Sequence, residues 1–501
     1  MKRWALLFLI GLAGQVVTAR QQGDSNLQSG DLKVADILQS NMVVQQNKPF
    51  KVWGTAKGGS EVEILADWLP ASTKVTATPD GNFMGIIQVP QVRAGNFSKH
   101  QLKIRSNARE VVLDNLLIGE VWICSGQSNM QFKLAEDKNA ATELPLANYP
   151  NIRLFNAELN FSAVPISNIK GKWQACTPEQ VKNFSAVGYY FAKQIQERLN
   201  LPVGIIFSGI GASKVEAFIP QEVLAGNKTL DSAYLQPYLN SPKSKELING
   251  GFSFEKVTRP FLLYNALIHP LCNLSIKGFC WYQGEGNRTE RDTYTLATQS
   301  LIKSWRSSFA QGDLPFYYVQ VAPFFYDKED PLLNDYAFFR EAQEKVAEIN
   351  NTGMVVSMDV GESKDLHPKN KGPLGERLAR TALNRTYGLD TVAYLGPKFK
   401  YMEVRGKQVI VYFEEQSVGT GLTTNNKKAP EFFRIAGAEG VFYNAKATIQ
   451  GKTVVLVSDQ VKHPIAVRYA FSNYPVTNLQ NASGLPAIPF RSDQWPEMNS
   501  N

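Results

Sequence analysis

The chain has 501 residues, 44% of them hydrophobic and 20% charged, an ordinary globular composition that excludes disorder, collagen and low-complexity scaffolds. At roughly 150 residues per domain, that length accommodates about three domains with real cores. The formal charge of +8, from 53 Lys and Arg against 45 Asp and Glu, is scattered, with no basic run and no basic helix face. It reads as solubility charge, not as a nucleic-acid footprint.

Lys2 and Arg3 precede an apolar run from Trp4 to Ala13, and Val17-Thr18-Ala19 offers small residues at a cleavage position. This layout predicts a signal peptide over residues 1–19 and export to the periplasm or beyond the cell. The run is too short to cross a bilayer, and no later segment reaches the roughly 18 apolar residues that a membrane span needs. Four cysteines follow: Cys124, Cys176, Cys272 and Cys280. They allow three pairings and match no zinc spacing, so neither a metal nor another cofactor is expected.

Residues 31–118 read as an all-β module. Phe50 to Gly54, Val62 to Ile64 and Leu102 to Ile104 are strand-like, Asp80-Gly81-Asn82 is a turn signal, and no helical stripe intervenes. From 119 to 388 short apolar runs alternate with amphipathic helices. The predicted strands are Val121 to Ser125, Val203 to Ser208, Gly278 to Tyr282, Phe316 to Val321 and Gly353 to Met358. Helical stripes join Val187, Phe191, Ile195 and Leu199 behind a candidate N-cap at Ser185, then Tyr294, Leu301, Trp305 and Phe309, then Leu374, Leu378 and Ala382. Strand and helix alternating five times imply an α/β unit, a five-stranded and mostly parallel sheet covered by helices on both faces. Residues 389–501 return to strands, among them Val409 to Phe413, Thr453 to Val457 and Ile465 to Tyr469, as a second β region free to pack with the first.

Ligands of an open parallel sheet bind at the carboxyl ends of its strands, so the residues that follow each strand carry the chemistry. The first strand runs into Ser125-Gly126-Gln127-Ser128-Asn129-Met130, a tight turn that would present the Ser128 hydroxyl next to helix-initial N–H groups. Taken alone, Ser128 reads better as an N-cap, and Met130 breaks the G-x-S-x-G elbow. The second strand ends in Ser208-Gly209-Ile210-Gly211-Ala212-Ser213, where a glycine N–H can approach an oxyanion. The third ends in Trp281-Tyr282-Gln283-Gly284-Glu285-Gly286-Asn287, whose Gln283 amide could serve the same oxyanion; alternatively Gln283 and Asn287 bind a sugar hydroxyl or just satisfy loop backbone groups. Of four histidines, His100 and His463 fall in β regions and His269 ends an apolar helix-like stretch. His367, in Asp365-Leu366-His367-Pro368 after the last sheet strand, is the candidate base.

Together these blocks resemble the sialate O-acetylesterase family, a branch of the SGNH hydrolases. The resemblance rests on Gly119 to Met130, on Trp281-Tyr282-Gln283-Gly284-Glu285 and on Asp365-Leu366-His367-Pro368, followed by Gly375-Glu376-Arg377-Leu378-Ala379. It implies an SGNH-like fold and an exported, metal-free serine esterase that removes O-acetyl groups from sugars. Ser128 would be the nucleophile and His367 the base, with the oxyanion held by the Ser128 and Gly211 N–H groups and the Gln283 amide. The family's acid lies three residues before the histidine, a position held here by Lys364. Asp365, two residues before, is the expected acid, with Asp359 or a backbone carbonyl as alternatives. Asn287 and Arg288 are candidate substrate contacts, Arg288 as a clamp for a sugar carboxylate. The implied substrate is an acetylated sialic acid, with acetylated xylan or another plant polysaccharide as the alternative. A non-catalytic carbohydrate-binding protein is the competing class.

Overall fold

Strands buried on both faces tolerate almost no polar residue, and near-continuous apolar runs build the central sheet of this chain. The computed structural model describes residues 32–248, 251–326, 329–330 and 332–497. The expected signal peptide lies outside the described residues.

Seven strands form the sheet: β1 (Arg109–Gly126), β2 (Tyr149–Asn156), β3 (Trp173–Cys176), β4 (Val203–Phe207), β5 (Gly278–Tyr282), β6 (Phe316–Val319) and β7 (Thr352–Val355). Their spatial order is β3-β2-β4-β1-β5-β6-β7. Every pair is parallel except β3 on β2. The five expected strands are all present and adjacent, but a sixth parallel strand, β2, accompanies them. Pro150, Asn151 and Arg153 interrupt its apolar run, so its sequence does not look like a buried strand.

Alternate residues of each strand face opposite layers. The helices that flank the sheet or open the site include α1 (Ser128–Gln131), α2 (Ala186–Leu199), α3 (Asp292–Phe309), α4 (Asp335–Lys345) and α5 (Gly372–Arg385). Trp122, Cys124, Ile205, Cys280, Tyr317 and Val355 pack on one side with α2 and α5; Val121, Ile123, Ile206, Phe279, Trp281 and Phe316 pack on the other with α3. Ser185 caps α2 as expected, its hydroxyl accepting the Gly188 N–H at 3.0 Å. The same hydroxyl donates to the Met130 carbonyl at 2.6 Å, which ties α2 to the turn after β1. Helices α2 and α5 cross at Gly375, where a Cβ would lie 2.6 Å from that of Tyr190 and 2.7 Å from the Val187 carbonyl. Only glycine allows that approach.

Of the amino-terminal β strands, Glu61–Ala66 and His100–Ser106 join the central sheet through β1 itself, whereas Pro49–Thr55 and Asn82–Gln88 pair with each other in a separate three-stranded sheet. The amino half of β1 pairs antiparallel with His100–Ser106, and Val43–Gln45 pairs with Leu117–Gly119. The expected boundary between residues 118 and 119 therefore falls inside one continuous strand. The carboxyl-terminal β region packs Val411, Val454, Leu456, Val467 and Tyr469 against Val356 and Met358, which follow β7. Among the described residues the two β regions share no sheet.

Candidate active site

The carboxyl end of β1 lies between those of β4 and β5, so the segments carrying Ser128, Gly211 and Gln283 leave neighbouring strands on the same edge. Strand β1 stops at Gly126, whose φ of +134° and clearance of 2.2 Å between a built Cβ and the Tyr282 carbonyl admit only glycine. Gln127 then clamps the turn: its N–H donates to the Tyr282 carbonyl at 3.0 Å, and its Oε1 accepts the Gly286 N–H at 3.2 Å. Ser128 opens α1, so its own N–H is one of the helix-initial donors without an intrahelical acceptor.

His367 comes from the loop between β7 and α5. Its Nε2 stands 2.8 Å from the Ser128 Oγ, hydrogen-bond distance across 239 positions of sequence. Burial is the main influence on its imidazole and lowers its basicity below the usual histidine range. Lys371 lowers it further, while Asp365 and Glu136 act in the opposite sense. The ring is therefore a free base over more of the acid range than an exposed histidine.

Asp365 does not reach the ring as the expected triad acid would. Its Oδ1 accepts the backbone N–H of His367 at 2.8 Å and lies 3.7 Å from Nδ1, beyond a hydrogen bond. This is the short Asx turn that a two-residue spacing favours. Asp359, the alternative, is held by both guanidinium nitrogens of Arg377 at 2.8 and 2.6 Å and is not available to the imidazole. The other histidines that make contacts stay structural: His269 Nδ1 meets the Ile166 carbonyl at 2.9 Å, and His100 Nδ1 meets Asp67 at 2.8 Å.

Gly211 sits where expected, a built Cβ lying 3.3 Å from that of Ser128. Its N–H is nevertheless donated to Gln131 Oε1 at 2.8 Å, so an oxyanion reaches it only by displacing that side chain. Ala212 adopts φ +61°, a left-handed conformation suited to glycine.

Gln283 corrects the expectation more strongly. Its Nε2 donates to Asn287 Oδ1 at 2.7 Å and to the Ser213 carbonyl at 3.3 Å, which uses both hydrogens. The orientation is enforced from behind, because the Val215 N–H fixes Asn287 Oδ1 as the acceptor. The Asn287 Nδ2 is in turn bound to Glu216 at 3.0 Å and Glu290 at 2.9 Å. In this arrangement both Gln283 amide hydrogens are engaged, and Asn287 is buried with its side-chain amide held by Val215, Glu216 and Glu290. Burial, with Glu290 beside it, raises the Glu216 carboxyl to about 7. Arg288 is half-buried with its guanidinium 4.1 Å above the Tyr326 ring.

Three further side chains at the site were not expected from the sequence. Asn129, immediately after the serine, donates to Glu285 Oε1 at 2.6 Å and to the Leu366 carbonyl at 3.2 Å, and accepts from Lys371 Nζ. Lys371 is fully buried over the rings of Phe132 and Tyr282, at 4.6 and 5.7 Å. Burial brings its ammonium down to about 7. Asn129 and Glu285 lie in the Gly119 to Met130 and Trp281-Tyr282-Gln283-Gly284-Glu285 blocks, whereas Lys371 lies outside every block of the resemblance. Among the described residues no group of three or more His, Cys, Asp or Glu could hold a metal ion. All four cysteines are free thiols.

A family model described as a carbohydrate esterase, sialic acid-specific acetylesterase, matches residues 246–384. The human sialate O-acetylesterase is 28% identical over 94% of this chain and 94% of its own length, and the rat enzyme is 27% identical over 96% and 97%. The crystal structure of a carbohydrate acetylesterase from Xanthomonas citri superposes with a TM-score of 0.81 at 32% identity, covering 92% of this chain and all of the other.

Proposed function

Because the chain belongs to the sialate O-acetylesterase family of ester hydrolases, we propose that it removes O-acetyl groups from a carbohydrate with Ser128 as nucleophile and His367 as base. The observation that carries this reading is the 2.8 Å contact between His367 Nε2 and Ser128 Oγ. Ser128 Oγ attacks the acetyl carbonyl carbon while its proton passes to His367. Collapse of the adduct breaks the carbonyl carbon's bond to the sugar oxygen, which takes that proton. Water then attacks the acetyl-serine, with His367 again accepting a proton, and acetate leaves.

The oxyanion would be met by the Ser128 and Gly211 N–H groups, the latter after Gln131 has moved aside. This arrangement is SGNH-like in placing the nucleophile, the glycine and the histidine after separate strands of one sheet. Asp365 would act mainly through the His367 backbone. The substrate we assign is an O-acetylated sialic acid, the substrate class named by the matching family model, with Arg288 as its carboxylate contact. Export follows the signal-like pattern of residues 1–19.

The test is acetate release from O-acetylated sialic acid and from acetylated xylan, with S128A as control. Preference for the sialic acid is expected, with loss of at least about a hundredfold in S128A. Preference for xylan would replace the substrate, and an S128A rate equal to that of the parent would remove the mechanism.

A further inference from the structure

Lys371 occupies a place where a cation is doubly unfavourable. It is fully buried, and it is the residue at the amino end of α5, where the helix macrodipole is positive. The helix gains nothing from its charge. Asp137 makes the compensating contact, accepting the Lys371 backbone N–H at 2.9 Å. Packing alone would be satisfied by an apolar chain against Phe132 and Tyr282.

Its ammonium is aimed at Asn129, the residue next to the nucleophile. Asn129 joins three segments of the site: it accepts from Lys371 and donates to Glu285 after β5 and to the carbonyl of Leu366, which precedes His367. With one amide, the turn carrying Ser128 is tied to the loop carrying His367. Glu285 is also buried, and its Oε2 has no hydrogen-bond partner. Lys371 and Glu285 therefore form a charge pair bridged by Asn129, not a direct ion pair.

We propose that Lys371 is a positioning residue of the esterase reaction, locking the nucleophile turn to the histidine loop through Asn129. The inference rests on Ser128 and His367 being the reacting pair. The charged groups facing His367 are Asp365 on its own loop, Glu136 from the segment after α1, and Lys371. Those facing Lys371 are Glu285, Asp137, Asp365 and Glu362. Of the groups that act on the imidazole, Lys371 is the one whose charge favours the neutral ring. It is protonated below about 7, across the window in which a histidine titrates.

The experiment is the pH profile of kcat/KM on a small aryl acetate for parent, K371M and E285Q, with S128A alongside. Deleting the cation lets His367 protonate more easily, so the acid limb of K371M should move up by about half a pH unit or more. Its kcat should fall about tenfold with KM nearly unchanged, because the turn and loop lose their tie. E285Q keeps the shape but removes the charge that favours the protonated Lys371, so Lys371 turns neutral over more of the imidazole window and the acid limb should move up, as in K371M. If K371M does not fold, the direction of the E285Q shift decides alone. A folded K371M or an E285Q whose acid limb coincides with that of the parent would overturn the proposal. An active S128A would instead mean that the reading of the reacting pair had failed.

Discussion

Strand β1 carries a buried charged network near each end of its passage through the parallel sheet, and the two differ in how completely their atoms are satisfied. Where β1 enters, the Glu120 carboxylate accepts from Gln46 at 2.7 Å, Gln45 at 3.1 Å and the Tyr387 hydroxyl at 3.1 Å, with Lys277 at 3.8 Å. Both of its oxygens are occupied. Where β1 leaves, Glu285 Oε2 has no partner, Gln283 Oε1 has none either, and Lys371 sits against its helix dipole. A fully satisfied network stiffens the joint it occupies, here between the amino-terminal strands, the central sheet and the end of α5. An under-satisfied one keeps charges that act on something else, and the nearest candidate is the pair of Ser128 and His367.

The contrast can be broken most sharply by H367A, which should lower kcat on an aryl acetate by about a thousandfold or more without changing the unfolding midpoint much. E120A should do the reverse. Leaving the Gln45, Gln46 and Tyr387 donors unpaired should destabilise the protein by about 2–3 kcal/mol in denaturant unfolding, with kcat within about threefold of the parent. An E120A variant that folds normally but loses activity would erase the distinction between the two ends.

D365A removes the acceptor for the His367 N–H and should reduce kcat by about tenfold. Because the Asp365 charge favours imidazolium, its loss should also shift the acid limb of kcat/KM to lower pH, opposite to K371M. The smallest expected effect is in the parent itself. Burial and Lys371 both disfavour imidazolium, so activity should persist below about 6.5, the ordinary histidine value, and fall only as pH drops through the depressed one.

Much of the fold was legible because burial on both faces leaves an apolar run that sequence shows directly, as in Val203–Phe207 and Gly278–Tyr282. Strand β2 escaped because its buried Arg153 is satisfied by the Pro150 carbonyl and Asn115, contacts made only in three dimensions. Helix α4 escaped for the same reason, its interior Arg340 being fully buried against the Ser472 and Asn473 carbonyls. At the site, the proposed reacting pair, Ser128 and His367, lies in the segments after strands that the sequence singles out. Residues that act through long-range pairing were misread or unseen. Gln283 had several possible partners until Asn287 and Val215 fixed its orientation, and nothing in the sequence around Lys371 signals its burial.

The most direct measurement of the central claim is labelling with a fluorophosphonate, which reacts only with a serine activated by a neighbouring base, followed by peptide mapping. Modification of Ser128 alone, abolished in H367A, is the expected result. A protein that hydrolyses acetate esters while Ser128 stays unlabelled, or whose labelling persists in H367A, would contradict it.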